Sequence, residues 1–299
     1  MWSRRDGSGA SVSAPKVSIL LPVHNGARYL RGALDSLFEQ TFDDFELDIL
    51  NDGSTDDTAA IVGLYRDPRI RYREQPNAGV SASLNRLVEH ARGTYLARMD
   101  HDDWSHPERL AAQVAHLDAH PATVLVGSWV EVVDEHGRVV FRTRHPVTAA
   151  GIREVMLFDN PVAHGSVMMR RVPELRYRGE FDDAEDVDLW ERLMRCHPVA
   201  NLPRYLYRWR MSPEGISQRR RHRQSALAQQ VQDRYREWYV PRVVLLAPSV
   251  SELAAERRAT GTGRVARRKL RLMGLLASRG AMRATAREAL DLLRLPFAG

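Results

Sequence analysis

Strand-like and helix-like patterns alternate along the first hundred residues. Four short segments have the composition of strands: residues 16–23, 45–50, 70–73 and 95–99. The segments between them carry apolar residues three and four positions apart, as at Leu30, Leu34 and Leu37, which is the spacing of one helix face. A chain that alternates strand and helix in this way predicts an α/β fold, with a mostly parallel sheet flanked by helices on both faces.

Beyond residue 100 the pattern is more mixed. We predict helices over residues 107–120 and 187–195, and strands at residues 123–127, 130–133, 139–143, 165–170 and 205–210. Residues 219–223 are strongly basic, and helical spacing dominates from there to the end. We therefore predict a disordered lead-in at residues 1–14, an α/β domain at residues 15–217 and a basic helical extension at residues 218–299.

Polar residues follow three of the predicted strands. They are His24 and Asn25 after the first strand, Asn51 and Asp52 after the second, and an acidic cluster at residues 100–103 after the fourth. Parallel sheets of this kind bind their ligands outside the carboxyl ends of the strands. We therefore expect the three strand ends to form one binding crevice.

The acidic cluster holds three carboxylates, those of Asp100, Asp102 and Asp103. Such a group is stabilised when one or two carboxylates, together with the phosphates of a substrate, hold a hard divalent ion such as Mg²⁺ or Mn²⁺. The alternative is an acidic loop that only caps the helix over residues 107–120. A second acidic cluster, residues 181–186, lies just before another predicted helix, whose dipole would favour carboxylates there.

The charge balance indicates anionic partners. The chain of 299 residues has 44 Lys and Arg against 38 Asp and Glu, a formal net charge of +6. Phosphorylated ligands, nucleic acid and anionic membrane surfaces all suit this excess. The single cysteine, Cys196, excludes an internal disulfide. Because no apolar run approaches the length of a membrane span and the N-terminus lacks the apolar core of a signal peptide, we expect a cytoplasmic protein.

Six segments follow one another in an order typical of one enzyme family. They are residues 17–25, 51–56, 77–81, 93–103, 184–190 and 207–217. In these segments the chain resembles a family 2 bacterial glycosyltransferase (GT2), an enzyme with the nucleotide-diphospho-sugar transferase (GT-A) fold. The resemblance extends over about residues 15–217. It implies metal-dependent transfer of a sugar from a nucleotide-diphospho-sugar to an acceptor hydroxyl, with inversion at the anomeric carbon.

The resemblance also implies roles for individual residues. Asp102 matches the ligand of a divalent metal, Mg²⁺ or Mn²⁺, and Asp186 matches the general base. Arg208 matches a flexible segment that closes on the diphosphate. The residues implied to bind the nucleotide or the donor are Pro22, Val23, His24, Asn25, Asp52, Asn77, Gly79, Asp100, Asp103 and Arg208.

His164, Glu185 and Trp104 are the candidates for the acceptor side. Tyr205 stands where processive members of the family have Gln, which predicts the addition of a single sugar. The expected donor is a UDP, GDP or dTDP sugar, and the expected acceptor is a glycan or a lipid-linked glycan in cell-surface polysaccharide biosynthesis. Basic helices within residues 264–299 suit peripheral contact with the inner face of an anionic membrane, the alternative being that they pack back on the catalytic domain.

Two other functions suit the residues less well. A sugar-phosphate nucleotidyltransferase also uses carboxylates and Mg²⁺, but it usually has a Gly-rich basic loop after the first strand, where this chain has His24, Asn25 and Gly26. A non-enzymatic nucleic-acid-binding protein would use residues 219–223, yet the acidic strand ends would repel phosphates without a metal. We therefore expect no nucleic-acid partner.

Overall fold

The computed structural model describes residues 14–211 and 220–245. Its strands are β1 (Val17–Val23), β2 (Phe45–Asp52), β3 (Ile70–Gln75), β4 (Tyr95–Arg98), β5 (Trp104–Ser105), β6 (Leu125–Val133), β7 (Val139–Thr143), β8 (Met168–Arg170) and β9 (Val199–Arg210). Its α-helices are α1 (Leu30–Phe38), α2 (Thr58–Val62), α3 (Val80–His90), α4 (Arg109–Ala119), α5 (Ala149–Val155), α6 (Glu185–Cys196) and α7 (Arg221–Leu245). Two 3₁₀ turns lie at His164–Ser166 and Gly179–Phe181.

The strands form one sheet in the order β3-β2-β1-β4-β8-β6-β9-β5, and β7 pairs with β6. The first four strands pair in parallel, with Val17 opposite both Phe45 and Tyr95. This confirms the parallel sheet that the alternating pattern predicted. β8 then enters antiparallel to β4, and β6 pairs antiparallel with β8 but parallel with β9.

The second half of the sheet differs from the predicted elements. β6 is one continuous strand where we predicted two, and β9 begins at Val199 and not at residue 205. The pairing of β6 with β9 skips residues 203 and 204, because Leu202 faces Ser128 and Tyr205 faces Trp129. Pro203 therefore lies in a bulge, and a proline inside a run weakens the pattern of a strand. The short strand β5 and helix α5 were not predicted.

Apolar side chains pack on both faces of the sheet. Alternate residues of β1 serve the two faces, since Leu20 belongs to one core and Ile19 and Leu21 to the other. Trp190 of α6 lies in the first core and Leu34 of α1 in the second. Both faces of the central strands are thus covered by helices, as buried parallel strands require.

Helix α7, which falls in the predicted C-terminal extension, packs against α6. Its Val231 and Tyr235 are fully buried in the first core, and the Arg234 guanidinium donates to Asp188 of α6 at 2.7 Å. This part of the extension therefore shares a core with the α/β domain. The lead-in at residues 1–13 and the basic helices predicted within residues 264–299 lie outside the described residues. Across residues 14–211 and 220–245, no helix is long and apolar enough to cross a membrane.

Candidate active site

The loops after β1 and β2 are hydrogen-bonded to each other and form a wall at the carboxyl edge of the sheet. The backbone N–H of Asn25 donates to Oγ of Ser54 at 2.9 Å, and Oδ1 of Asn25 accepts from the Thr55 N–H at 2.8 Å. Asn25 adopts a left-handed conformation with φ of 51°, which asparagine tolerates better than most residues. His24 and Asn25 are exposed there, whereas Val23 is 1% exposed and packs in the core.

Asp52 fixes the turn that carries Asn77 and Gly79. Its carboxylate accepts from the N–H groups of Ala78 and Gly79, at 2.8 and 3.0 Å, and from the Gln75 amide at 2.6 Å. The close approach requires a glycine at position 53, since a Cβ there would lie 2.7 Å from the Asn77 nitrogen. The structure therefore gives Asp52 a role in shaping the wall, and its implied contact with a nucleobase stays a prediction.

The carboxylates of the acidic cluster have three different environments. Asp100 forms an ion pair with Arg98, a buried residue of β4. Asp103 is 3% exposed and accepts from the Tyr207 hydroxyl and the Arg210 N–H, each at 2.7 Å. Burial, together with the neighbouring carboxylate of Asp102, raises the pKa of Asp103 to about 7. Asp102 accepts through its backbone carbonyl from Nε of Arg210 at 2.9 Å, and no donor among the described residues bonds to its carboxylate.

Tyr207 of β9 holds this cluster in place. Its hydroxyl accepts from the Asp100 N–H at 3.2 Å while donating to Asp103. The hydroxyl fits because Gly165 has no side chain, since a Cβ there would overlap it. Strand β5 follows the cluster directly, and α4 begins only at Arg109 without a side-chain cap. The alternative that the cluster merely caps this helix is therefore wrong.

Arg208 and Trp104 line a cleft beside the acidic cluster, together with Val133, Gly137 and Arg210. The Arg208 guanidinium lies 4.6 Å from the centre of the Trp104 ring, and its Nε donates to Glu131 at 2.9 Å. Arg208, whose implied role is to contact a diphosphate, thus forms an ion pair with Glu131. Sequence reasoning missed this carboxylate. A single Glu within a strand gave no signal of this pairing.

The second acidic cluster places Asp186 in the first turn of α6. Oδ1 of Asp186 accepts from the Val187 N–H at 2.8 Å, and Oδ2 accepts from the Asn160 amide at 2.7 Å. Burial raises the pKa of Asp186, although these two donors and the charge of Arg98 oppose the rise. Sequence reasoning missed Asn160, for which the only signal was the turn-forming pair Asn160-Pro161 in a stretch without a predicted strand or helix.

The structure brings the predicted acceptor-side residues His164 and Glu185 together. Nδ1 of His164 lies 3.6 Å from Oε1 of Glu185, and its Nε2 lies 3.0 Å from the Tyr177 hydroxyl. Burial lowers the pKa of His164 well below its usual value, so the ring is neutral at pH 7. Burial and the adjacent Asp186 raise the pKa of Glu185 to about 7. Trp104 lies apart from this group, beside Arg208.

Arg98 lies between the two acidic clusters. It is 4% exposed, and its charge acts on Asp103 of the first cluster and on Glu185 and Asp186 of the second. A buried cation is stable only with anionic partners, and here both clusters supply them. In the sequence, only the position of Arg98 as a single charged residue near the end of an apolar strand indicated this role.

The acidic cluster fits a metal that is held mainly by its substrate. In the part of the chain that the structure describes, no group of three or more His, Cys, Asp or Glu side chains is placed to hold an ion. Asp102 nevertheless offers a carboxylate to which none of the described residues donates. Mg²⁺ with nucleotides commonly takes only one or two carboxylates, the other ligands being phosphates and water.

Comparison with known proteins gives one consistent family. The model of the family "Glycosyl transferase family 2" matches residues 18–176. The putative glycosyltransferase EpsE of Bacillus subtilis is 34% identical over 217 residues, 69% of this chain and 77% of that protein. The amylovoran biosynthesis glycosyltransferase AmsE of Erwinia amylovora is 31% identical over 212 residues, 68% of this chain and 79% of that protein.

Solved structures show the same fold. TarS of S. aureus in complex with UDP-GlcNAc has a TM-score of 0.58 at 21% identity, covering 78% of this chain and 73% of that chain. The mannosyltransferase PcManGT of Pyrobaculum calidifontis, in complex with GDP-Man and Mn²⁺, has a TM-score of 0.53 at 17% identity, covering 87% and 83%.

Proposed function

Because the chain belongs to glycosyl transferase family 2 and has the GT-A fold expected of it, we propose that it is an inverting, metal-dependent enzyme that adds a single sugar from a nucleotide-diphospho-sugar to an acceptor hydroxyl. One observation carries this proposal. Asp102, which follows β4, bonds to no donor among the described residues through its carboxylate, and Asp186, at the start of α6, has a raised pKa. Donor activation and proton removal need two such groups in separate places.

The donor occupies the wall formed by the loops after β1 and β2 in this proposal. His24, Asn25 and the turn at Asn77 and Gly79 present exposed polar groups for the nucleotide, and Pro22 is partly exposed beside them. Asp102 would hold Mg²⁺ or Mn²⁺, which neutralises the developing charge of the leaving diphosphate. The complexes of TarS and PcManGT with nucleotide sugars, one of them with Mn²⁺, support this donor class.

The remaining residues of the first cluster orient the donor. Asp100 is 31% exposed in its side chain and is proposed to lie near the ribose. Asp103 is proposed to act beside the donor sugar by fixing the loop, since Tyr207 and the Arg210 N–H already hold its carboxylate. Arg208 adds a cation for the diphosphate once Glu131 shares or releases it.

Asp186 is proposed as the general base. The acceptor hydroxyl gives its proton to Asp186 while its oxygen forms a bond to the anomeric carbon. The bond from that carbon to the diphosphate oxygen breaks in the same step, and the nucleoside diphosphate leaves with the electron pair. Attack on the opposite face inverts the anomeric centre. A raised pKa suits this task, because a base is most effective when its pKa lies near the working pH.

The acceptor is proposed to be a glycan or lipid-linked glycan of a cell-surface polysaccharide. The similarity to AmsE, an amylovoran biosynthesis glycosyltransferase, supports this role. His164 and Glu185 form the acceptor-side wall next to Asp186. The proposal that one sugar is added is supported by Tyr205, which stands where processive members have Gln. The cytoplasmic location and the membrane contact stay predictions.

A thermal-shift screen tests this function. Melting temperatures are measured with UDP, GDP and dTDP sugars, each with and without Mn²⁺. We expect one nucleotide to stabilise the protein only with the metal, by about 2.7 kcal/mol at a hundredfold excess over Kd. Stabilisation by no nucleotide sugar would contradict the proposal. Release of pyrophosphate from a nucleoside triphosphate and a sugar phosphate would instead favour a nucleotidyltransferase.

A further inference from the structure

Asn160 lies in the loop between α5 and the 3₁₀ turn at His164–Ser166, and it is the side-chain donor to Asp186. Its Nδ2 lies 2.7 Å from Oδ2 of Asp186, a normal length for a hydrogen bond to a carboxylate. The other oxygen of Asp186 accepts from the backbone N–H of Val187. Each carboxylate oxygen is thus held by one neutral donor.

The orientation of the Asn160 amide follows from its two neighbours. An ionised carboxylate only accepts, so the atom facing Asp186 must be the NH₂ group. The amide oxygen then faces the other way and accepts from the Val162 N–H at 3.3 Å. The two contacts require the same orientation of the amide, and neither is satisfied in the flipped one.

The backbone on both sides of Asn160 is fixed. The amide of Asn201 donates to the carbonyls of Pro146 and Pro161, at 2.8 and 3.1 Å, and Val162 is fully buried. The Asn160 N–H itself donates to Asp159 at 2.8 Å. A donor on a fixed loop holds its partner without losing the entropy of a mobile side chain.

We propose that Asn160 is the positioning residue of the reaction's base, holding the Asp186 carboxylate ionised and oriented for the acceptor hydroxyl. This inference rests on the proposed function for the acceptor and the reaction. It is independent of that function in one respect, because the contact between Asn160 and Asp186 is a property of the protein alone.

Several charged or titratable groups face Asp186 besides Asn160. Glu185 precedes it on α6, Arg98 approaches from β4, and Tyr177 lies close enough to feel its charge. His164 contacts Glu185 and is neutral. Of these groups only Arg98 favours the ionised form of Asp186, so loss of the Asn160 donor leaves a carboxylate that protonates more easily.

Two substitutions isolate the donor. Asn160→Ala removes the whole amide. Asn160→Asp keeps an oxygen for the Val162 N–H but replaces the donor by a second carboxylate facing Asp186. We expect the pKa of Asp186 to rise by about one unit in N160A and by more in N160D, because a like charge adds to the lost hydrogen bond.

The first measurement needs no substrate. Protein labelled with ¹³C in aspartate carboxyl groups is titrated by NMR, and Asp186 is identified by the signal missing in Asp186→Asn. The second measurement is the pH profile of kcat for release of nucleoside diphosphate from UDP-glucose, UDP-GlcNAc and GDP-mannose. We expect its acid limb to move upward in the same order, with kcat at pH 7 falling about 10- to 100-fold and KM for the donor unchanged.

Asn201→Ala is the matched comparison, since it loosens the same loop but leaves the Asn160 amide in place. It is expected to lower the melting temperature and to shift the Asp186 titration less than either Asn160 variant does. An unshifted Asp186 titration in both Asn160 variants would overturn the inference, as would failure of both to fold. A shifted titration in an enzyme whose Asp186→Asn variant still transfers sugar would keep Asn160 as the partner of Asp186 and refute the proposed base.

Discussion

The two acidic clusters look alike in sequence but are surrounded by different groups in the folded chain. In the cluster at residues 100–103, Asp100 forms an ion pair with Arg98, and Asp103 accepts from the Tyr207 hydroxyl and a backbone N–H. No donor among the described residues bonds to the Asp102 carboxylate. In the second cluster, an Asn amide, a helix N–H and a neutral His surround Asp186 and Glu185. The first cluster offers the carboxylate of Asp102 to a cation. The second holds Asp186, the carboxylate proposed to accept a proton.

This difference teaches how two groups of carboxylates can serve one reaction. A carboxylate such as that of Asp102, to which no donor among the described residues bonds, offers its oxygens to a metal ion. A carboxylate held by neutral donors in a buried place keeps its position while its pKa rises. The segment 160–166 joins the two, since Asn160 contacts Asp186 and Gly165 makes room for Tyr207.

The largest effect is expected from Asp186→Asn. The amide keeps the size of the carboxylate but cannot accept the proton of the acceptor hydroxyl. We expect kcat for sugar transfer to fall about 10²- to 10⁴-fold. The nucleotide-dependent thermal shift should remain, because the proposed donor site lies at the other cluster. Near-normal transfer by this variant would move the base to another residue, with Glu185 the first to test.

Asp102→Asn should give the opposite pattern. The loss of one metal ligand is expected to abolish the Mn²⁺-dependent part of the thermal shift and to lower kcat about 10²- to 10³-fold. The ¹³C titration of Asp186 should be unchanged, since Asp186 has its own donors. An unchanged metal dependence of nucleotide binding in this variant would show that another residue holds the ion.

Gly165→Ala tests the segment that joins the clusters. The added Cβ would overlap the Tyr207 hydroxyl, so we expect the free energy of unfolding to fall by about 1–3 kcal/mol in denaturant titrations. Gly179→Ala is the control, because a Cβ there meets nothing within 4 Å. Equal stability of the two variants would mean that Tyr207 moves aside without loss.

Glu185 is expected to make the stability of the protein depend on pH. Its pKa rises from 4.5 to about 7 on folding, because of burial and the charge of Asp186. Between these values only the folded protein binds the proton, so the free energy of unfolding falls as the pH rises, by at most about 1.4 kcal/mol per pH unit. Glu185→Gln should flatten this dependence. Urea titrations from pH 4.5 to 7 measure it, and equal slopes in both proteins would contradict the assignment.

The topology of the site could be predicted, but its contacts could not. Alternating strands and helices place the ends of β1, β2 and β4 side by side, so the pattern was enough to predict that Asp52 and the cluster at 100–103 lie at one edge of the sheet. The same period of two would have revealed that Val23 shares the core face of Ile19 and Leu21. The partners of Asp103 and Asp186 lie 104 and 26 residues away, in Tyr207 and Asn160. No local period encodes pairs of this kind.

The smallest effect is expected at Glu131, the carboxylate that pairs with Arg208. Glu131 pairs with both Arg208 and Arg142, and its exposed partners limit each pair to about 0–1 kcal/mol of stability. Glu131→Gln should therefore change the melting temperature little. It should lower the KM for the nucleotide sugar a few-fold, because Arg208 no longer has to leave a carboxylate to meet the diphosphate. Arg142→Met, which removes the other partner, should leave KM unchanged. A higher KM in Glu131→Gln would show that Glu131 orients Arg208 for the donor and does not compete with it.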